Sequence, residues 1–274
     1  MSSVAAKTEK NKSFRQIWRE KNMKCRIGTT SHIIPGEIIS NLKFLKDIVE
    51  NVEVVLFESD AFSNLPAKTD VLEMGIIARE AELTFTVHLP QNNFAGAANE
   101  GVRKKAVEKW LRIIDLMEDL SPFGWVVHLN DPTGSDPSWD RWQNQWSKTF
   151  EQLFARIEPD LLCIRTLNGG FDKIWSIVEA KSSSICLDIG HLQAIGQEIG
   201  ACPDAWLDRS RIIHLHGVRD DGRENLDLGY LKTSLLDDLF DVLKANGDLS
   251  RILTLEVFSR KDLEKSMYVL NEVI

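Results

Sequence analysis

Short apolar runs alternate with helical patterns along the chain from residue 24 onward. Each run is continuous in apolar character, which is typical of strands buried on both faces of a parallel sheet. Turn residues and then a segment with apolar positions at helical spacing follow each run. The pattern predicts eight strands, at Cys25–Gly28, Val52–Glu58, Thr84–His88, Trp125–Leu129, Leu161–Thr166, Ile185–Asp188, Ile212–His216 and Ile252–Val257.

The helical segments fill the intervals between these runs. Pro35 opens the first one at a position that proline favours. Eight strand–helix units in one chain of this size predict an α/β fold, a single (β/α)8 TIM barrel over residues 24–274. A doubly wound open sheet is the alternative, disfavoured because no GxGxxG or Walker-type loop follows an early strand. The later helices are predicted at Thr69–Ala81, Val102–Leu120, Ser138–Ile157, Asp172–Ala180, His191–Ile199, Tyr230–Asn246 and Ser259–Val273.

Residues 1–23 precede the first strand and are polar and mostly basic. They lack the apolar core of a secretory signal. We expect either a loosely ordered extension or a single docking helix. Its removal is expected to change the melting temperature little.

Composition narrows the function classes. The 274 residues are 43% hydrophobic and 27% charged, which suits a globular protein. A net charge of -8 argues against a nucleic-acid-binding surface. No apolar stretch is long enough to span a bilayer. The four cysteines form no CxxC pair, so free thiols in a reducing cytoplasm are expected, with no nucleic-acid or membrane partner.

Polar side chains gather at the carboxyl ends of the predicted strands. The chain has six histidines, and five lie at or just after a strand end, while His32 follows the first strand by four residues. Acids mark three further ends, at Glu58, Asp188 and Glu256. In a barrel these positions converge on one mouth. The five histidines are His88, His128, His191, His214 and His216.

Imidazole and carboxylate groups together indicate a metal site for zinc, manganese or iron(II). His214 and His216 are two apart on one strand, so both side chains point the same way. Glu256 lies within an otherwise apolar strand, and a buried acid there needs a metal or a cationic partner. Each residue alone has an ordinary structural explanation. The set as a whole predicts a metal-centred or polar active site.

The strand-end motifs resemble the xylose-isomerase-like barrel superfamily, which includes sugar isomerases, epimerases and abasic-site nucleases. Within it they look closest to the phosphodiesterases that remodel cobamides by cleaving the nucleotide loop of corrinoid coenzymes. The resemblance covers roughly residues 24–274. It lies in the segments IGTTSHIIP, VVLFES, TVHLP, VVHLN, CLDIGHL, IIHLHGV and LTLEVFS.

The resemblance implies hydrolysis of a phosphodiester in a small corrinoid or other phosphorylated molecule, giving cobinamide phosphate and a riboside. It implies one or two divalent ions, Zn or Mn. The implied metal ligands are His88, His128, Asp188, His191, His214 and Glu256. Glu58 matches an acid common at the end of the family's second strand. The predicted catalytic residues are Glu58, Arg165 and His216, and the predicted substrate-binding residues are His32, Asn92 and Trp139.

The fifth strand departs from the family pattern. Arg165 stands where the superfamily usually has a metal-binding glutamate, and a guanidinium repels a cation. Arg165 could pair with Glu256 or Asp188 and occupy the metal's place, or grip a substrate phosphate. Two other functions therefore stay open: a sugar-phosphate isomerase or epimerase, and a degenerate corrinoid- or nucleotide-binding protein without catalysis.

Overall fold

Eight parallel strands close into one barrel in the computed structural model, which describes residues 13–20, 25–59, 61–129, 139–165, 171–172, 174–245 and 250–273. Each strand pairs with its neighbours in sequence, and β1 pairs with β8 to close the sheet. The predicted (β/α)8 barrel is therefore confirmed. The strands are β1 Cys25–Thr30, β2 Asn51–Val55, β3 Thr84–His88, β4 Trp125–His128, β5 Leu162–Arg165, β6 Ser184–Asp188, β7 Ser210–Leu215 and β8 Arg251–Leu255.

Helices surround the barrel and alternate with its strands. Their inner faces are apolar and pack on the outward side chains of the strands, as in α5, where Trp146, Phe150 and Leu153 are fully buried. The described α-helices are α1 Phe14–Glu20, α2 Ile38–Leu45, α3 Lys68–Ala81, α4 Glu100–Met117, α5 Trp139–Leu153, α6 Trp175–Ala180, α7 Ile189–Ala194, α8 Asp204–Arg209, α9 Thr233–Ala245 and α10 Arg260–Val273.

Two element boundaries differ from the sequence prediction in ways that matter for the site. Strand β2 ends at Val55, so Glu58 lies beyond the strand, in an isolated bridge with Ser63. The helix predicted over His191–Ile199 ends at Ala194, and Gly196 then takes a positive φ of 71°. A left-handed glycine is a common way to end a helix, and the second half of the segment forms a separate turn.

The amino-terminal segment contributes a docking helix, α1. Trp18 is 1% exposed, contacts Phe240 and donates a hydrogen bond of 2.8 Å to the Cys25 carbonyl at the start of β1. Arg15 donates to the carbonyls of Lys46 and Glu82, which precede β2 and β3. The helix therefore lies at the amino-terminal end of the barrel, and we now expect its removal to destabilise the protein.

Trp18→Ala should lower the free energy of unfolding by about 3–5 kcal/mol, the usual cost of truncating a buried tryptophan. Denaturant titration measures it. Tyr268→Ala is the matched control, because Tyr268 is 66% exposed and surface changes usually cost under about 0.5 kcal/mol. Equal stability of the two variants would show that α1 does not anchor the barrel.

Candidate active site

The predicted convergence of polar side chains is present at the carboxyl-terminal mouth. Strands β3 to β6 end on His88, His128, Arg165 and Asp188. His216 and Glu256 follow the last residues of β7 and β8 directly. All six are at most 5% exposed. The closed parallel barrel places these strand ends side by side, so sequence positions far apart form one cluster.

Arg165 lies at the centre of this cluster. Its Nη1 donates a hydrogen bond of 2.9 Å to Glu256 Oε1, and its Nη2 donates to Asp188 Oδ2. The side chains of all three are about 5% exposed or less. The guanidinium therefore holds the two carboxylates in a buried charge-assisted bridge, the geometry for which arginine is suited.

Asp188 organises the β6–α7 corner. It caps α7 by accepting a hydrogen bond of 2.8 Å from the His191 backbone N–H. His216 Nε2 lies 3.1 Å from the same oxygen of Asp188, Oδ1. A β-carbon at Gly190 would lie 2.2 Å from the His216 ring, so only glycine fits at that position. The DIGH segment thus fixes both the acid and the ring that faces it.

A second ion-pair group lies beside the first. His214 Nε2 is 2.9 Å from Glu53 Oε2, and His214 Nδ1 is 3.3 Å from Glu256 Oε2. Both ring nitrogens thus face carboxylates, which suits an imidazolium bridge. Glu53 is fully buried on β2. Glu256 belongs to both groups, because its two oxygens face Arg165 and His214.

Glu53 was not predicted as a site residue. Yet it is an acid between Val52 and Val54 in a strand predicted to be buried on both faces. Like Glu256, Glu53 is an acid in a buried strand that needs a partner, so its position in the site could have been predicted in the same way.

Arg165 and the two acids that it bridges, Asp188 and Glu256, stabilise one another in their charged forms. Burial alone would raise the pKa of Asp188, but Arg165 and His216 outweigh it and bring that pKa well below its usual range. Burial would also raise the pKa of Glu256, but Arg165 and His214 lower it, and the pKa falls well below its ordinary value. Burial would lower the pKa of Arg165, but Asp188 and Glu256 raise it. The three groups are charged at neutral pH.

The histidines divide into two classes. Burial, opposed only in part by nearby acids, lowers the pKa of His88, and burial together with Arg165 takes that of His128 well below 6.5. At His216 burial is outweighed by Asp188, and the pKa is raised. At His214 burial is outweighed by Cys186, Glu53 and Glu256, so the pKa is well above 6.5. The mouth therefore holds neutral and protonated imidazoles together, the pattern expected of an acid–base pair.

His88 and His128 form a directed hydrogen-bond chain. His88 Nδ1 lies 3.0 Å from the Leu89 carbonyl, which can only accept, so this nitrogen carries the proton of neutral His88. His88 Nε2 is 2.9 Å from His128 Nε2 and must accept from it. Neutral His128 then has its lone pair on Nδ1. Among the residues that the structure describes, this buried nitrogen has no hydrogen-bond partner.

A cavity of about 180 Å³ adjoins the cluster at His88. Glu58 and Asn92 line it, as do Phe57 and Phe62 on its outer side. Phe57 is 44% exposed and Phe62 60% exposed, so aromatic surface borders the opening. This combination of apolar wall and a few polar groups is typical of a small-molecule site.

The predicted site residues fall into three sets. The six predicted metal ligands, with Arg165 and His216, form the central cluster. Glu58 and Asn92 line the adjoining cavity, and His32 lies at its edge, 3.1 Å from the Val55 carbonyl and with its ring 5.7 Å from that of Phe57. Trp139 begins α5, but its side chain lies outside the described residues. The roles assigned to these residues remain predictions.

Two groups of side chains offer ligand atoms within 4.8 Å of one another. Four of the six predicted metal ligands belong to them, whereas His88 and His128 belong to neither among the described residues. The first group is Asp188, His191 and His216, and the second is Glu53, His214 and Glu256. Neither group fits a divalent ion with the side chains as they are placed. Arg165 is bonded to Asp188 in the first group and to Glu256 in the second, so an ion in either group would lie against a buried guanidinium.

Fold and site together define a (β/α)8 barrel with a polar cluster at the mouth. The chain belongs to the xylose isomerase-like TIM barrel family, whose model matches residues 43–273. A comparison with curated proteins gives no significant match. In the described part of the chain, no helix is both long and apolar enough to cross a membrane.

Solved structures share this fold at low sequence identity. A D-tagatose 3-epimerase-like protein is 19% identical with a TM-score of 0.64, over 90% of this chain and 96% of that one. The 3-keto-D-glucoside 4-epimerase of E. coli is 14% identical with a TM-score of 0.68, over 92% and 98%. A D-psicose 3-epimerase from Clostridium cellulolyticum H10 is 11% identical with a TM-score of 0.62, over 90% and 98%. At these identities the likeness establishes the fold alone.

Proposed function

We propose that the protein hydrolyses a phosphodiester at the barrel mouth, and that its substrate is a cobamide. The observation that carries the reaction type is the Nδ1 of His128, which has no hydrogen-bond partner among the described residues and belongs to a neutral base beside the Arg165 guanidinium. His128 and Arg165 are register partners on β4 and β5, so the base and the guanidinium are adjacent. A phosphodiester needs both: a base for water and positive charge for the phosphoryl oxygens.

The reaction balances with groups that the cluster contains. His128 Nδ1 accepts a proton from water as the water oxygen bonds to phosphorus. The phosphorus–oxygen bond to the ribose breaks, and the ribose oxygen takes a proton from His216, whose pKa is raised by Asp188. The products are cobinamide phosphate and the riboside. His88 acts as a positioning residue, because its bond to Leu89 fixes the tautomer of the pair.

Proton transfer at carbon is less well supported by this site. Epimerisation of a sugar needs bases that can remove a weakly acidic proton. The ion pairs with Arg165 hold the pKa values of Asp188 and Glu256 well below their usual range, which makes both carboxylates weak bases. The similar structures named above are epimerases or epimerase-like, but their low identity carries no reaction to this chain.

The choice of a cobamide rests on the sequence resemblance and is supported by the surface beside the site. Phe57, Phe62 and Phe94 are between 44% and 60% exposed near the opening of the cavity or in the loop after β3. Exposed aromatic surface of this kind suits a large ligand with flat apolar faces. The 180 Å³ cavity accommodates part of such a ligand, with the remainder at the mouth.

The test is incubation of the purified protein with an adenosylcobamide and chromatographic separation of the products. Equimolar cobinamide phosphate and riboside are expected. His128→Ala serves as the control against a contaminating hydrolase. Epimerisation of D-tagatose or D-psicose without cobamide cleavage would overturn the proposal and favour the alternative reaction.

The pH profile offers an independent check. Because burial lowers the pKa of both His88 and His128, the base begins to be protonated only at a pH below 6.5. The acid limb of the kcat/KM profile should therefore lie below pH 6.5. An acid limb above that value would show that neither ring is the base.

A further inference from the structure

The cation of this site is part of the polypeptide. We infer that Arg165 takes the position that a divalent ion would occupy among Asp188, His191 and Glu256, and that the mouth consequently has no high-affinity divalent-metal site. The chemical types of the surrounding groups are those of a metal centre. The space between them is occupied by a guanidinium.

Arg165 contacts coordinating atoms of two of the three residues in the first candidate group, Asp188 and His191. Asp188 Oδ2 accepts from Nη2, and the same nitrogen is 3.4 Å from His191 Nδ1. Asp188 Oδ1 accepts from the His191 backbone and lies 3.1 Å from His216 Nε2. An ion among these atoms would have to displace the guanidinium. Arginine is permanently charged, so the protein cannot make room by deprotonating it.

The charges of the cluster also disfavour a divalent ion. Glu53, Asp188 and Glu256 are the acids of the cluster, and each has a cationic or imidazole partner within hydrogen-bond distance. Arg165 therefore offsets the desolvation cost of burying the Asp188 and Glu256 carboxylates. Adding a divalent ion next to a buried guanidinium would place like charges together in a low-dielectric environment.

One donor of Arg165 is left for a substrate. Its Nε is buried and, within the described residues, has no hydrogen-bond partner. A phosphoryl oxygen would satisfy it, while Nη1 and Nη2 keep their carboxylates. Arg165 would then supply the positive charge that a metal commonly supplies in phosphodiester cleavage. This last role rests on the proposed function, whereas the exclusion of the ion does not.

Isothermal titration calorimetry with Mn²⁺ alone tests the exclusion without any substrate. The wild-type protein is expected to show no saturable binding up to millimolar Mn²⁺. Arg165→Glu replaces a repelling charge with a ligand, and should tighten Mn²⁺ binding by at least about a hundredfold, since ligand charge count tunes affinity over several decades. Asp188→Asn in the Arg165→Glu background should abolish that gain.

Two results would overturn the inference. One is stoichiometric micromolar binding by the wild type that Asp188→Asn removes. The other is a folded Arg165→Glu variant that binds no better than wild type, since Arg165 would then not be what excludes the ion. If the variants fail to fold by circular dichroism, the wild-type titration still decides the question. If the wild type binds no Mn²⁺ and also does not cleave a cobamide, the proposed function is contradicted and the exclusion of the ion is not.

Discussion

Arg165→Met should lower the free energy of unfolding by about 3–5 kcal/mol, as for other buried ion pairs that lose one partner. The substitution keeps most of the side-chain volume but leaves the Asp188 and Glu256 carboxylates without their shared counter-ion. Both carboxylates are about 95% buried, so water cannot replace the guanidinium. Urea denaturation of the two proteins at neutral pH measures the loss.

The control for this effect is an arginine with an equally short ion pair at the surface. Arg260 Nε lies 2.7 Å from Glu264, and both side chains are about 60% exposed. Arg260→Ala should cost only about 0.3–0.5 kcal/mol, because solvent screens exposed helix pairs. Similar losses in the two variants would show that burial at the mouth adds nothing to the Arg165 bridge.

The stability difference should also depend on pH in a defined direction. In the wild type, the folded-state pKa values of Asp188 and Glu256 lie below their usual 3.8 and 4.5. Such groups contribute stability above those usual values and lose it as the pH falls toward their folded-state pKa. The stability that the ion pair gives the wild type should therefore be lost as the pH falls below 4.5, and the gap between wild type and Arg165→Met should narrow as the pH is lowered. A gap that widens would contradict the assignment of charge.

The second large effect is expected in catalysis. His128→Ala removes the ring whose Nδ1 has no partner among the described residues, and should lower kcat for cobamide hydrolysis by about 10²–10⁴-fold, the usual contribution of a general base. The circular dichroism spectrum should be unchanged, because β4 keeps its pairing with β3 and β5. KM should change little, since the proton transfer belongs to the transition state.

His32→Ala is the matched control for His128→Ala. His32 lies at the edge of the cavity and contacts Val55 and Asn64 rather than the central cluster. It should affect KM more than kcat. Comparable loss of kcat in both variants would indicate that general disruption of the mouth, and not removal of the base, explains the result.

The barrel and the position of the site were predictable because parallel strands buried on both faces produce continuous apolar runs. Polar residues at the ends of such runs must gather at one mouth. The departure from the family pattern at Arg165 was also visible in the sequence, since an arginine at the end of a buried strand needs acidic partners. Of the two pairings considered for it, both are present, with Asp188 and with Glu256.

What the sequence could not provide is the depth of each side chain in the barrel. His214 and His216 point the same way, yet His216 meets Asp188 while His214 meets Glu53. That choice depends on the stagger between neighbouring strands, which no local pattern encodes. A docking helix was one of two alternatives for residues 1–23. The sequence could not decide between them, because few positions of the segment are apolar, among them Phe14, Ile17 and Trp18.

The most direct test of an arginine-centred phosphodiesterase is the rate of cobamide cleavage by protein stripped of divalent ions. The protein would be dialysed against EDTA, its zinc and manganese content checked by mass spectrometry, and the release of cobinamide phosphate followed over time. If Arg165 supplies the positive charge, the stripped protein retains its full rate, and added Mn²⁺ or Zn²⁺ does not increase it. A rate that disappears with EDTA and returns with either metal would show instead that a bound ion is required.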